Sequence, residues 1–257
     1  MQNTTFFGLS PIHNIIVLES VASTNDYVKD LLSNFKPLQP FTAIMAKEQT
    51  QGRGQRGTTW QSSKGENLTA SFVYCPDNFH ITDQFALTII SSLSVYDVVQ
   101  QLQPNDVYIK WPNDIFISNK KVAGILIENK LYGEYLKHAI IGVGLNVNQI
   151  EFPIEIAYKT TSIVQENFEN DVTILDIVRM LQEKLKYYTH IYEHGQEDAL
   201  LNIYNQRLYR KGILSLFTIR DTQIEGTISA VDKDGLLQVL INQEIRKFDL
   251  KEISYVL

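Results

Sequence analysis

The spacing of hydrophobic positions predicts strands and helices in an irregular order along most of the chain. Apolar runs or alternating patterns typical of strands occur at residues 13–19, 41–46, 68–74, 107–110, 115–118, 122–128 and 139–147. The polar pair Asn119 and Lys120 separates two of these runs and is typical of a hairpin. Strands and helices therefore mix without the regular repeat of a parallel sheet.

Helical periodicity alternates with these strands. It marks residues 82–102, 174–188 and 198–208. A first helix is predicted from apolar positions that recur at helical spacing, at Val28, Leu31, Leu32 and Phe35. Its expected N-terminal cap is Ser23, Thr24 or Asn25, since each of these side chains accepts a hydrogen bond from a free backbone N–H.

The pattern changes from Gly212 onward. Short alternating strands follow, with a glycine-containing turn at residues 233–235. Such strands are typical of a small β-barrel. We therefore predict two domains, a larger one at residues 1–207 and a β domain at residues 208–257.

Composition narrows the class of protein. The 257 residues carry a formal net charge of -6, and phosphate binding needs a basic surface, so we expect no DNA partner. The single cysteine, Cys75, cannot form an internal disulfide, and the N-terminus lacks the basic start and apolar run of a signal peptide. The most apolar stretch, residues 85–95, is shorter than the ~18 apolar residues of a membrane span. We expect a cytoplasmic protein without a membrane partner.

The loop QTQGRGQRGTTW, at residues 49–60, is the first candidate binding site. Gly52, Gly54 and Gly57 match the spacing of a dinucleotide-binding turn, but no helical periodicity follows them, so that fold is rejected. A P-loop is rejected as well, because Thr58 stands where the phosphate-binding lysine belongs.

This loop nevertheless suits an anionic ligand. Its glycines permit close approach of the backbone, while Arg53 and Arg56 supply fixed positive charge and several N–H donors. Trp60 offers a flat apolar surface on which a ring can pack. A phosphate or a carboxylate is the expected ligand.

A second group of polar residues follows the strand that ends at Lys110. In KWPND, Pro112 turns the chain, and we expect Asn113 and Asp114 to face outward from the strand end. Lys121 then begins KVAGILIE, whose Gly124 indicates close approach of a ligand or another backbone. A third strand, IIGVGLNVN, contributes further glycines and an amide, at Gly142, Gly144 and Asn146.

Taken together, GRGQRGTTW, KWPND, KVAGILIE and GVGLNVN, in this order and at these separations, resemble the biotin protein ligase family. The motifs cover residues 23–148, and the resemblance extends to residue 257 through the small C-terminal domain of bacterial members. It implies an α+β fold related to class II aminoacyl-tRNA synthetases. In that fold, a mixed β-sheet flanked by helices forms the catalytic domain, and an SH3-like β-barrel follows it.

The resemblance also implies a reaction. Similar enzymes use ATP and Mg²⁺ to activate biotin as biotinoyl-AMP, and then transfer biotin to a lysine of biotin carboxyl carrier protein, the expected partner. Both nucleophiles come from the substrates, so the protein has only to position them and stabilise charge. Lys121 and Arg53 are the predicted catalytic residues, and the enzyme is expected to be a monomer or a homodimer.

By motif position, the resemblance assigns two groups of binding residues. Biotin is expected to contact Ser23, Thr24, Asn25, Gln49, Gly52, Arg53, Gly54, Gln55, Trp60, Lys121, Gly124, Leu126 and Gly142. ATP is expected to contact Arg56, Trp60, Lys110, Asn113, Asp114, Lys121 and Asn146. Asp114 is also the predicted Mg²⁺ ligand.

Some features depart from the family pattern. Gln55 and Thr58 stand where several members have arginine, so less positive charge surrounds the mixed anhydride, and we predict weaker retention of the adenylate. Bifunctional members carry an N-terminal helix-turn-helix that represses transcription, whereas the catalytic fold begins here by about residue 12. We therefore expect the monofunctional form.

Two alternatives remain open. A lipoate or octanoate ligase of the same superfamily is disfavoured, because GRGQRG and KWPND resemble the biotin branch more closely. A non-catalytic biotin-binding protein is disfavoured by the presence of Lys121, Arg53 and Asn146, although Gln55 and Thr58 weaken that argument.

Overall fold

The computed structural model describes residues 14–34, 38–103, 105–166 and 172–256, apart from the side chain of Arg56. Within these ranges the chain forms two β-sheets and a set of helices. His13 and Phe35, which belong to the predicted first strand and first helix, lie outside the described residues, as does the predicted start of the fold near residue 12.

The larger sheet has seven strands. They are β1 (Ile15–Leu18), β2 (Ala43–Ala46), β3 (Leu68–Tyr74), β4 (Val107–Lys110), β5 (Asp114–Ile117), β6 (Lys120–Tyr132) and β7 (Tyr135–Leu145). Their spatial order is β1-β2-β3-β7-β6-β5-β4. Strands β1 and β2 pair in parallel and all other neighbours are antiparallel, which confirms the predicted mixed sheet.

Helices cover both faces of this sheet. They are α1 (Thr24–Ser33), α2 (Gln84–Leu102), α3 (Ile154–Ala157), α4 (Ile174–Glu193) and α5 (Glu197–Gln206). On β2, Ile44 and Ala46 pack with Val28 of α1, whereas Ala43 and Met45 belong to the main core with α2 and α4. Successive side chains of a strand point to opposite faces, so α1 covers one face and α2 and α4 cover the other.

Helix α2 is the apolar centre of the main core. With the turn before it, Ile81–Leu102 has the length and composition of a membrane span, but 67% of its most apolar window is buried inside the protein. Leu87, Ile90 and Leu93 are fully buried in the main core. This burial is typical of a core helix.

The smaller sheet has five antiparallel strands, which is compatible with the predicted SH3-like domain. They are β8 (Leu214–Ile219), β9 (Thr222–Val231), β10 (Leu237–Ile241), β11 (Glu244–Phe248) and β12 (Ile253–Tyr255). Their order is β11-β10-β9-β8-β12. The sequence pattern did not predict β12, because three residues are too few to show an alternation.

Specific contacts join β4 and KWPND to the segment between α5 and β8 and to the β9–β10 turn. The backbone N–H of Ile109 in β4 donates to the carbonyl of Arg207, and the carbonyl of Ile109 accepts from the N–H of Tyr209. The indole Nε1 of Trp111 donates to the carbonyl of Gly235 at 2.9 Å. The end of β4 is therefore fixed against these two segments. The domain boundary after residue 207 falls at this connection and stays a prediction.

Candidate active site

One cavity of about 310 Å³ contains most of the predicted site residues. It lies between the glycine-rich loop, the N-terminus of α1, the KWPND turn and strands β6 and β7. The predicted residues that line it are Ser23, Thr24, Asn25, Gln49, Arg53, Gly54, Gln55, Trp60, Lys110, Asn113, Asp114, Lys121, Gly124, Leu126 and Gly142. Motifs that are far apart in the sequence thus meet in one place.

The N-terminus of α1 forms a polar end of this cavity. Ser23 caps the helix, and its hydroxyl accepts from the N–H of Asp26, which confirms the predicted capping role. The Oε1 atom of Gln49 accepts hydrogen bonds from the backbone N and the Oγ1 of Thr24, at 2.8 and 3.0 Å. These contacts orient the amide of Gln49 at the cavity wall.

A buried serine extends this hydrogen-bond network. Ser71 Oγ lies 2.7 Å from Thr24 Oγ1 and 2.6 Å from Asn25 Oδ1. The Nδ2 atom of Asn25 donates to Glu128 Oε2 at 2.8 Å. Buried polar groups are costly unless they are hydrogen-bonded, and these groups satisfy one another. The side chains of the polar end are therefore held in place by their own hydrogen bonds.

Glycines on the two central strands make room for the site's side chains. A Cβ atom at Gly142 would lie 2.5 Å from Asn25 Oδ1, and one at Gly144 would lie 2.3 Å from Trp60 Cε2. Gly124 pairs with Gly144 across the sheet, and its Cβ would lie 3.0 Å from Lys121 Nζ. The expected close approach at Gly124 is thus made by side chains and not by another backbone.

The glycine-rich loop folds back on itself. Gly54 N donates to Thr58 O at 2.7 Å, and Trp60 N donates to Gly52 O at 2.9 Å. Only a short 3-10 turn, Gln55–Gly57, follows the first glycines, which agrees with the rejection of a dinucleotide-binding fold. A Cβ at Gly52 would lie 2.3 Å from Trp60 O, so Gly52 allows loop closure and does not line the cavity.

Arg53 binds two carboxylates beside the polar end. Its Nη2 atom lies 2.7 Å from Asp26 Oδ1 and 2.9 Å from Glu128 Oε2. Asp26 belongs to α1 and Glu128 to β6, so the contact joins three segments. The sequence pattern missed Asp26, Glu128 and Ser71, because a single acidic or hydroxyl residue carries no signal until its neighbours in space are known.

Lys121 lies at the other end of the cavity. Its Nζ atom is 2.7 Å from Asp114 Oδ1 and 5.9 Å from the centre of a Trp60 ring. The backbone N–H of Lys121 donates to the carbonyl of Lys159, which fixes the start of β6. The ammonium is therefore held between an acidic residue and the aromatic wall.

Lys110 is the second lysine at this end. Its Nζ atom lies over the rings of Phe116 and Tyr255, at 5.2 and 5.0 Å from their centres. Within the described part of the chain Lys110 forms no ion pair, and burial lowers the pKa of its ammonium. Its charge is thus available to a ligand. Leu250 also lines the cavity, from the turn between β11 and β12, a placement that no local pattern predicts.

The structure corrects the expected orientation of Asn113 and places Asn146 outside the cavity lining, so the ATP contact of Asn146 stays a prediction. Asn113 is 3% exposed and its Nδ2 atom donates to Ile125 O at 2.5 Å, so the expectation that it faces outward is wrong. Asn146 does not line the cavity; it is buried, and its Nδ2 atom donates to Thr161 O at 2.9 Å. The side chain of Arg56 lies outside the described residues.

The comparisons with known proteins agree with this geometry. A family model described as the biotin/lipoate A/B protein ligase family matches residues 17–146, slightly more than half of the 257 residues. The chain belongs to this family. The resemblance predicted from the four motifs is therefore confirmed.

Relatives within the family show how far the likeness extends. The chain is 29% identical over 251 residues to the bifunctional ligase/repressor BirA of Bacillus subtilis (strain 168), covering 94% of this chain and 74% of that protein. It is 32% identical over 106 residues to the biotin–[acetyl-CoA-carboxylase] ligase of Paracoccus denitrificans, covering 40% of this chain and 43% of that protein.

A solved structure is similar over nearly the whole chain. It is the biotin protein ligase from Aquifex aeolicus in complex with biotin and ATP, with a TM-score of 0.76 and 26% identity. The alignment covers 94% of this chain and 97% of that one. The predicted fold class is therefore confirmed.

Proposed function

We propose that this chain is a biotin–protein ligase, which activates biotin with ATP and transfers it to a lysine of a carrier protein. The observation that carries this proposal is the single cavity in which the four motifs meet, with a polar network at one end and lysines at the other. The relative from Aquifex aeolicus, whose structure contains biotin and ATP, supports the same conclusion.

The polar end favours biotin over lipoate or octanoate. The ureido ring of biotin carries a carbonyl and two N–H groups, which match the hydroxyl of Thr24 and the amide of Gln49. A dithiolane ring or an alkyl chain has no such groups, so it would displace water from the remaining donor and acceptor positions of these side chains without replacing its hydrogen bonds. Binding of lipoate or octanoate would therefore be much weaker.

The reaction requires no nucleophile from the protein. In the first step a carboxylate oxygen of biotin attacks the α-phosphorus of ATP, and pyrophosphate leaves. In the second step the amine of the carrier lysine attacks the biotinoyl carbonyl, AMP leaves, and the amine loses a proton. The protein contributes orientation and charge stabilisation, which account for large rate enhancements in such transfers.

Lys121 and Lys110 are the residues that we assign to the phosphates. The ion pair with Asp114 holds the ammonium of Lys121 at the cavity wall, where it can stabilise charge as the α-phosphate reacts. Lys110 has no carboxylate partner within the described residues, so we assign it to binding the ATP phosphates. Its position over two aromatic rings directs the ammonium without neutralising it.

Mg²⁺ is part of the proposal, with Asp114 as its protein ligand. Among the described residues no cluster of three or more His, Cys, Asp or Glu side chains is placed to hold a metal ion. Mg²⁺ in nucleotide sites is commonly bound by one or two carboxylates together with the substrate phosphates, and a single Asp114 beside the lysines fits this mode. When bound, the ion would neutralise phosphate charge.

The proposed acceptor is the biotin carboxyl carrier protein of a biotin-dependent carboxylase. The relative from Paracoccus denitrificans is named for acetyl-CoA carboxylase, which supports this choice. A cytoplasmic location, a monomer or homodimer, and the absence of DNA and membrane partners complete the proposal. The net charge of -6 and the free thiol of Cys75 support the location and the absence of a DNA partner.

The test is to incubate the purified protein with MgATP and, separately, with biotin, lipoate or octanoate. Pyrophosphate release and the acyl-AMP, detected by mass spectrometry, are the readouts, and Lys121→Ala is the inactive control. We expect a signal with biotin alone that the substitution removes. A signal with lipoate or octanoate would move the protein to the sister branch, and biotin binding without pyrophosphate would refute catalysis.

A further inference from the structure

The contact between Arg53 and two carboxylates is not explained by the proposed chemistry. A positive charge intended for a phosphate or carboxylate ligand would be expected to face that ligand without competition. Here the guanidinium lies within 3 Å of both Asp26 and Glu128. Two negative charges offset the single positive charge, so Arg53 has little net attraction left for an anion.

The loop that carries Arg53 needs an anchor. Three glycines within residues 52–57 give its backbone many conformations in the unfolded and open states, and ordering such a segment costs entropy. The two ends of the loop are held, because Gln51 N donates to Ala22 O and Trp60 packs on Gly144 of β7. Between them, the hydrogen bonds of Gly54 with Thr58 and of Gly52 with Trp60 only close the loop on itself. The Arg53 contact attaches it to both α1 and β6.

Glu128 links this anchor to the polar end of the cavity. The same Oε2 atom accepts from Arg53 Nη2 at 2.9 Å and from Asn25 Nδ2 at 2.8 Å. Asn25 is in turn held by Ser71 and packs above Gly142. The position of the loop and the position of the polar wall are therefore set by one carboxylate.

We infer that Asp26 and Glu128 are positioning residues, which clamp the glycine-rich loop across the cavity through Arg53 and slow the departure of biotin. This inference rests on the proposed function, because biotin is taken as the ligand. It assigns Arg53 to holding the loop, in place of the catalytic role predicted from its motif. We call the ion pairs of Arg53 with Asp26 and with Glu128 the clamp. Both ion pairs are partly exposed, so the clamp is weak enough to open for ligand entry.

The clamp itself is tested on the full-length protein without ligand. Hydrogen–deuterium exchange is measured for the amides of residues 52–60 in Asp26→Asn, Glu128→Gln and the double variant. The Gln side chain keeps an acceptor for Asn25, so the substitution mainly removes the charge. Asp30→Asn is the matched control, since Asp30 is exposed and lies one turn further along the same helix. We expect faster exchange in the three clamp variants and no change in the control.

The consequence is tested by the dissociation rate of labelled biotin. Losing one partly exposed ion pair should raise the rate about two- to fivefold, and losing both about tenfold. The kcat for pyrophosphate release at saturating biotin and ATP should change less than about twofold, since the clamp acts on retention. High salt should accelerate biotin release from the unmodified protein more than from the double variant.

These measurements separate the inference from the function on which it rests. Exchange is measured without biotin or ATP, so it reports on the clamp whatever the result of the pyrophosphate assay. Unchanged exchange in the double variant, or an equal change in Asp30→Asn, would overturn the clamp. Faster exchange with unchanged biotin dissociation would overturn its role in retention.

Discussion

At the N-terminus of α1 the cavity wall is a closed chain of hydrogen bonds, whereas at the KWPND turn it consists of two lysines with few partners. Thr24, Asn25 and Ser71 satisfy one another in the polar network. Lys121 has a single carboxylate partner, and Lys110 has none within the described residues. The polar end is thus held together by its own hydrogen bonds, whereas in our proposal the cationic end, at Lys110 and Lys121, is completed by the phosphates of ATP.

This difference explains how one cavity can bind two chemically unlike substrates. A neutral ring is recognised by fixed donors and acceptors, because an unmatched hydrogen bond in a buried site is costly. A charged triphosphate is bound by positive charge, which Lys110 supplies without an ion pair among the described residues and Lys121 supplies beside a single carboxylate. Substitutions at the two ends should therefore affect different kinetic constants.

The largest effect is expected at Lys121. Lys121→Met removes the charge but keeps the length of the side chain, so pyrophosphate release with biotin should fall about hundredfold or more. Biotin binding measured without ATP should change little. Lys120→Met is the matched control, because Lys120 is the adjacent, exposed residue of β6. A similar loss of pyrophosphate release in both variants would show that the reaction does not depend on the charge of Lys121 in particular.

A methyl group should damage one end selectively at Gly142 and both ends at Gly144. Gly142→Ala places Cβ against Asn25 and should weaken biotin binding about tenfold, while the KM for ATP stays near its original value. Gly144→Ala displaces Trp60, which borders Lys121, and should affect both substrates. Titrations of biotin and ATP, with thermal unfolding to exclude loss of fold, check this prediction. Identical profiles for the two variants would contradict the separation of the ends.

Lys110 should give a pH dependence to ATP binding. Its ammonium is charged only below its pKa, which burial lowers, so the affinity for ATP should decrease as the pH rises through that lowered value. Lys110→Arg keeps its charge and should lose this dependence, and Lys110→Met should raise the KM for ATP about fivefold at neutral pH. The KM for ATP measured across pH in all three proteins checks this. A pH dependence that persists in the arginine variant would assign it to another group.

The smallest expected effect is on retention of the adenylate. Gln55 lines the cavity where several family members have arginine, so Gln55→Arg should slow the release of biotinoyl-AMP about threefold through one added charge. Dialysis or filter retention of labelled adenylate measures this rate. Equal or faster release from the variant would refute a retention role for charge at this position.

Much of the fold followed from periodicity. The pattern located β3 at its observed bounds and α2 within two residues, because both are long and strongly apolar. It missed β12, and it started β7 four residues late because the end of the β6–β7 hairpin carries exposed residues such as Tyr132 and Tyr135. Exposed residues at the end of a hairpin do not produce the apolar pattern from which a buried strand is predicted.

The sequence by itself identified the residues from which the site is built, namely the glycines of the loop and strands, the KWPND turn and Lys121. Through these motifs it also identified the family. Such features are local, since glycine spacing and turn residues act through the backbone of their own segment. Only the tertiary structure decided that Ser71, Glu128 and Asp26 complete the polar end, that Asn113 faces inward, and that Leu250 and Tyr255 reach the site. These contacts join residues that are distant in sequence, and their geometry exists only after the sheet has assembled.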